Sequence, residues 1–263
     1  MKENSLLRIA KYAALEAAKI HKKYFKSIEL QVVSKEKSYD RLTTSDIEAE
    51  KEIVRCIKKE YPLHNIMGEE EDYESNDSEY LWVIDPLDGT NNFSAGFPVF
   101  SVSIAVYKQN KAVIGVVYDV LREEMFSAQL NGGAFLNDIP ISVSQVELMA
   151  DALLITGFYY ERGEMMKKTL DQMRQFFEKE VIGIRRTGSA ALDLCYIAAG
   201  RATGYWELQL SPWDFAAGRL IVEEAGGSVT NTKNCDLGLK KEGVLATNGK
   251  IHNLMLSVIN QNI

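Results

Sequence analysis

The sequence predicts an α+β protein in two halves, the first built on an antiparallel sheet and the second on alternating strands and helices. Three features carry this. Apolar residues recur at helical spacing in the first turns of the chain, short β-rich runs follow one another from Leu81 to Leu136, and strands alternate with helices from Ala152 onward.

Taken in order, Ile9, Ala13, Ala17 and Ile20 form one face with lysines between them, which makes an amphipathic helix and not the apolar h-region of a signal peptide. Residues 28–44 are polar and turn-rich, and the Lys35 to Thr43 stretch reads as a loop, either a solvated turn or an active-site flap. Ser45-Asp46-Ile47-Glu48 matches a capping box for a second helix that Pro62 closes. Strands are expected at Leu81–Asp85, Ser101–Tyr107, Ala112–Asp119, Glu124–Ala128 and Gly133–Leu136. Beyond them the expectation is strand 152–156, helix 164–179, strand 181–186, helix 189–199, strand 203–208, helix 214–225, then a last strand and helix. No repeat, low-complexity tract or linker interrupts the chain, so residues 1–263 read as one domain with sub-domains of approximately 1–150 and 151–263.

Composition narrows the function classes. A hydrophobic fraction of 46% with 25% charged residues is that of a folded globular protein. The net charge of −7 disfavours nucleic acid, which needs a basic face to displace counterions, and suits a protein that collects cations. Cys56, Cys195 and Cys235 are odd in number and widely spaced, so a disulfide framework is not expected and a reducing cytoplasm is. No window reaches the ~18 uninterrupted apolar residues of a membrane span.

The densest local signal is LWVIDPLDGTNNF, where an apolar strand runs into Asp85-Pro86-Leu87-Asp88-Gly89-Thr90. Two carboxylates at the end of a buried strand repel and raise each other's pKa unless a cation lies between them. A hard ion such as Mg²⁺ takes oxygen ligands, which Asp85, Asp88 and the Leu87 carbonyl can provide. Gly89, Thr90 and Asn91 then offer successive N–H groups at the start of a short helix, a cradle for phosphate. Two further acidic elements are ambiguous alone. Gly68-Glu69-Glu70-Glu71-Asp72 is either a solvated charge run or a strand end whose first carboxylate, Glu69, turns inward. Asp214, in Ser211-Pro212-Trp213-Asp214, stands where an N-cap belongs and is either only a cap or also an ion ligand.

Together GEE at 68–70, DPLDGTNNF and WDFAAGRLIVEEAGG resemble the inositol monophosphatase family in order and spacing across nearly the whole chain. RRTGSAALDLCYIAAGRATGYWE, residues 185–207, is similar to the bacterial inositol-1-monophosphatases. The resemblance implies a layered αβαβα sandwich of the inositol monophosphatase and fructose-1,6-bisphosphatase type. It implies one Mg²⁺ on Glu69, Asp85 and the Leu87 carbonyl, a second on Asp85, Asp88 and Asp214, and a third, weaker one using Glu69 and water; Mn²⁺ is expected to substitute. Thr90, bonded to Asp46, is then expected to orient the attacking water, with Glu69 also in the catalytic set. Asp88, Gly89, Thr90 and Asp214 would meet the phosphate, and Gly188, Ser189, Ala190 and Glu207 the leaving alcohol. Lys35 falls at the family's mobile flap. Expected substrates are inositol monophosphate or, as rivals, fructose-1,6-bisphosphate, histidinol phosphate, NADP(H) and 3′-phosphoadenosine 5′-phosphate. Lithium sensitivity and a homodimer are further implications, and a regulatory partner in the transcription machinery is the alternative of another class. His21, His64 and His252 read as ordinary surface or packing residues.

Overall fold

The apolar stripe of the first helix, α1 (Ser5–Tyr24), is buried at Ile9, Ala13 and Ala17, as its period requires. The computed structural model describes residues 5–34, 41–158 and 162–261. After α1 come β1 (Val32–Ser34), β2 (Arg41–Thr43), α2 (Thr44–Glu60), β3 (Asn65–Met67), β4 (Tyr80–Asp88), α3 (Thr90–Ser94), β5 (Ser101–Lys108), β6 (Lys111–Asp119), β7 (Glu124–Gln129), β8 (Gly133–Leu136) and β9 (Ile139–Ile141). The second half contains β10 (Leu153–Thr156), α4 (Glu164–Phe177), β11 (Gly183–Arg185), α5 (Ala190–Ala198), β12 (Gly204–Leu210), α6 (Pro212–Glu224), β13 (Ser228–Asn231), β14 (Glu242–Thr247) and α7 (His252–Ile259).

Among the described residues, β3 to β9 form a seven-stranded sheet in sequence order, antiparallel except for the parallel β3–β4 pair. A five-stranded sheet has the order β11-β10-β12-β14-β13, parallel through β11, β10 and β12 and antiparallel beyond. Strand alternation sends successive side chains to opposite faces of the large sheet. Trp82, Ile84, Val102, Ile104 and Val106 join Ala10, Ala13, Ala17 and Ile53 in a core beneath α1 and α2. Val83, Ala105 and Val117 join Leu194, Ala217, Leu220, Tyr205 and Val244 in a core around α5 and α6. A third core packs Leu154, Trp206 and Leu245 against Phe176 and Met255 of α4 and α7. The layers therefore run helix pair, sheet, helix pair, sheet, helix pair, the αβαβα sandwich expected.

Where structure and expectation differ, the reasons are local. Residues 28–44 are not wholly loop, because β1 and β2 pair antiparallel, Val32 opposite Thr43; Lys35, the flap candidate, lies outside the described residues. The capping box of α2 begins at Thr43 rather than Ser45, with Asp46 as its N3 carboxylate. A short β9 and a second C-terminal strand extend the sheets beyond what was expected, since three or four residues carry too little pattern to be read alone. No helix among the described residues is long and apolar enough to cross a membrane, and Cys56, Cys195 and Cys235 are free thiols.

The approach of α6 to the large sheet needs Gly115, where a Cβ would lie 2.6 Å from the Ala217 carbonyl oxygen. That oxygen is backbone and cannot rotate aside, so Gly115→Ala must push α6 outward. The expected destabilisation is about 1–3 kcal/mol, read as a lower midpoint in urea unfolding at unchanged slope.

Candidate active site

Asp85 and Asp88 are three residues apart, and in a regular strand they would face opposite sides of the sheet. The pairing of β4 with β5 shifts between them: Asp85 lies opposite Ser103 and Asp88 opposite Ser101, so three steps on β4 match two on β5. One extra residue is thus accommodated as a bulge, which brings both carboxylates to the same side. Pro86 sits in the bulge, where its missing N–H breaks no ladder bond. The strand then ends at Gly89, whose φ of 99° is left-handed, and α3 begins at Thr90.

Asp88 points at the start of α5. It accepts the hydroxyl of Ser189, the Ala191 N–H at 2.9 Å and the Ala190 N–H at 3.2 Å. Asp214 is the N3 residue of α6, not its N-cap as the sequence suggested; Ser211 caps, Pro212 follows, and Asp214 accepts the Ser211 N–H at 2.7 Å. The capping box of α6 therefore holds a carboxylate on the cavity wall. Asp85, Asp88 and Asp214 bring one oxygen each within 4.8 Å of one another. Glu69 lines the same cavity but lies outside that triad.

Behind the triad, Thr90 Oγ1 is 2.8 Å from Asp46 Oδ1 and 3.0 Å from the Leu87 carbonyl oxygen. Asp46 also accepts the Thr43 N–H at 2.9 Å and the Thr43 hydroxyl. Leu87 in turn donates its N–H to Asp85 Oδ1 at 2.9 Å. The cavity, about 420 Å³, is lined by Glu69, the aspartate triad, Leu87, Gly89, Thr90, Gly188, Ser189, Ala190 and Glu207. Asp46 stands behind Thr90, outside this lining. Glu207 is buried and accepts the Tyr205 hydroxyl at 2.8 Å on Oε2. Arg186, Asp193 and Lys241 also line the cavity, and sequence reasoning did not single them out. Arg186 and Asp193 sit inside the RRTGSAALD segment that drew attention, whereas Lys241 comes from a loop with no pattern of its own.

The electrostatics favour a cation. Burial raises the pKa of Asp85 well above the carboxylate range, with repulsion from Glu69, Asp88 and Asp214 adding to it. Asp88 is raised to about 6 by burial, which outweighs the Ser189, Ala191 and Ala190 hydrogen bonds. Asp214 is raised by burial and then by Glu69 and Asp88, and Asp46 is raised to about 6 mainly by burial. A compact set of hard, anionic oxygens with mutually raised pKa values fits a divalent ion of the Mg²⁺ type, whose charge reverses the repulsion. At the far end, burial lifts Glu207 to about 7 against the opposing Tyr205 hydrogen bond and Arg186 charge.

One histidine read as ordinary packing has a definite partner set. His21 of α1 is fully buried, with Nε2 2.7 Å from the Pro86 carbonyl oxygen and Nδ1 2.8 Å from Ser45 Oγ. A carbonyl can only accept, so Nε2 carries the proton and Nδ1 accepts from Ser45. The ring thus ties α1 to the DPLD bulge and to the first turn of α2.

The inositol monophosphatase family model matches residues 2–263. The chain is 40% identical over 257 residues to the Nus factor SuhB of Haemophilus influenzae, covering 97% of this chain and 96% of that one. It is 44% identical over 226 residues to the inositol-1-monophosphatase of Synechocystis, covering 84% and 77% of the two. The crystal structure of the extragenic suppressor protein suhB from Bartonella henselae superposes with a TM-score of 0.93 at 37% identity, covering 99% of this chain and 100% of that one.

Burial lowers the His21 pKa from its ordinary 6.5 to about 4. Between these values the unfolded chain binds the additional proton, so the stability owed to neutral His21 is complete above 6.5 and lost as pH falls through 4. Relative to His21→Gln, in which the carboxylates still titrate but position 21 does not, the wild type should lose on the order of 3 kcal/mol of unfolding free energy between pH 7 and pH 4. Parallel denaturation curves for the two proteins across that range check it.

Proposed function

The chain belongs to the inositol monophosphatase family, and we propose that it is a Mg²⁺-dependent phosphatase that hydrolyses the monoester of a small polyol phosphate, with myo-inositol monophosphate as its principal substrate. The observation that carries this reading is the convergence of Asp85, Asp88 and Asp214 within 4.8 Å on one wall of a cavity whose lining also includes Glu207. The cavity volume, about 420 Å³, suits a small ligand.

In this reading Glu69, Asp85 and the Leu87 carbonyl hold one Mg²⁺, Asp85, Asp88 and Asp214 a second, and Glu69 with water a third. Bound there, Mg²⁺ supplies Lewis-acid stabilisation of phosphoryl charge and lowers the pKa of adjacent water. The chain's own groups do the rest. Ionised Asp46 accepts a hydrogen bond from the Thr90 hydroxyl, so the Thr90 lone pairs are left to accept from a water in the cavity and orient it in line with the ester bond. Glu69, in the same lining, completes the catalytic set. The N–H groups of Gly89 and Thr90 face the phosphate oxygens beside Asp88 and Asp214. Tyr205 occupies Glu207 Oε2, which leaves Oε1 to accept from hydroxyls of the leaving alcohol, with Gly188, Ser189 and Ala190 beside it.

Fructose-1,6-bisphosphate, histidinol phosphate, NADP(H) and 3′-phosphoadenosine 5′-phosphate are the competing substrates. Asn91-Asn92-Phe93 after the DPLDGT run favours the inositol ester, and turnover measured across the set decides. Negligible inositol phosphate hydrolysis beside rapid hydrolysis of a rival would remove the first choice. The similarity to the Haemophilus Nus factor motivates a second reading in which the chain also binds transcription machinery. Co-purification of RNA polymerase or Nus proteins with an inactive Asp88→Asn variant would support it. The working form in this proposal is a cytoplasmic homodimer.

Asp88→Asn should abolish hydrolysis, and EDTA should do the same to the wild type, with activity restored by Mg²⁺ and partly by Mn²⁺. Thr90→Val should lower kcat roughly 100-fold with little change in KM, because it removes orientation of water and not binding. Millimolar Li⁺ should inhibit turnover; an unaffected rate would count against ions of the proposed kind.

A further inference from the structure

Glu50 stands on α2 one turn beyond Asp46 and is 1% exposed. Its carboxylate reaches the turn after β3, where Oε2 accepts the Glu70 N–H at 3.0 Å and Oε1 accepts the Glu71 N–H at 2.9 Å and the Tyr73 hydroxyl at 2.9 Å. The same carboxylate lies against Gly68, where a Cβ would sit 2.6 Å from Oε1. One side chain therefore fixes the residue before Glu69 and the two after it. Three donors converge on two oxygens, a demand that only an acceptor at both oxygens can meet; a glutamine would turn an NH₂ toward a backbone N–H.

The consequence falls on Glu69. Glu69 lines the cavity, and its charge raises the proton affinity of Asp85, Asp88 and Asp214. A short turn outside the strand ladder would otherwise let that charge swing toward solvent. We propose that Glu50 is a positioning residue for the divalent-ion site: by clamping the Gly68–Tyr73 turn it aims Glu69 at the aspartate triad, and Gly68 is glycine to admit the clamp. This rests on the reading of Glu69 as an ion ligand.

The test uses Mn²⁺ alone as probe, titrated by electron paramagnetic resonance of the free ion, together with amide exchange of the metal-free protein. Glu50→Gln should raise the Mn²⁺ dissociation constant by about 10- to 100-fold, the range for losing a group that orients a ligand. It should also accelerate exchange at the Glu70 and Glu71 amides by tenfold or more, roughly, while leaving the β5 and β6 amides protected. Adding Gly68→Ala to Glu50→Gln should weaken Mn²⁺ binding less than Gly68→Ala does alone, because both act through one contact. A purely structural Glu50 would shift the melting midpoint and leave Mn²⁺ affinity within about twofold of wild type, which would overturn the proposal. If Glu50→Gln does not fold, Tyr73→Phe removes one of the three donors, and an unchanged Mn²⁺ affinity there overturns it equally. Asp88→Asn run alongside separates the two claims: if it leaves Mn²⁺ binding intact, the ion site itself is misassigned; if it abolishes binding while Glu50→Gln does not, only the clamp fails.

Discussion

Repulsion among buried carboxylates is the constraint around which this molecule is arranged. Asp85, Asp88 and Asp214 meet within 4.8 Å, where burial and the charge of Glu69 make all three harder to ionise, and Asp88 adds to this at Asp85 and Asp214. The chain offsets part of this repulsion with backbone donors. It relieves it with helix N-termini. α5 presents its first N–H groups to Asp88, α6 carries Asp214 in its opening turn, and α2 carries Asp46 in its own. The partial positive ends of three helices thus favour negative charge near the cavity and leave its centre open.

That arrangement explains why helix capping and the candidate site share residues. In α2 and α6 a capping-box carboxylate satisfies the N-cap N–H with one oxygen and can serve the site with the other. A capping residue has a single well-determined orientation, set by the backbone it caps, so the ligand is held without spending a second side chain on it. Farther out, His21 holds the Pro86 carbonyl, Gly115 lets α6 close on the sheet, and Glu50 braces the turn bearing Glu69. These groups touch no ligand position, yet each bears on an element that does.

The cavity is built from both halves of the chain. The first half contributes the bulged strand β4 and the short helix α3, rigid because their neighbours are sheet. The second contributes the helix starts and the Tyr205–Glu207 pair on β12, buried among apolar residues where one hydroxyl contact defines the carboxylate. Arg186 and Lys241 add positive charge to a lining that is otherwise rich in acidic oxygens.

Most strands and helices, and the candidacy of Asp85 and Asp88, were legible in the chain because they depend on short-range pattern: apolar period, Pro and Gly punctuation, and carboxylates at element ends; Glu69 and Asp214 were ambiguous until the three acidic elements were taken together. The resemblance to a known family extended that legibility to Thr90 with Asp46 and to Glu207. What remained hidden depends on contacts between segments far apart in sequence. A bulge that turns Asp88 to the side of Asp85 is a property of β5 as much as of β4. His21 lies 65 residues from Pro86, and nothing in its neighbours distinguishes it from a packing residue. Glu50 carries no signal in the sequence, since two of its three partners are backbone N–H groups. Sequence determines which groups are available and where each element begins; register, bulge and long-range hydrogen bonds are cooperative outcomes of packing, so only the folded chain decides which of those groups meet.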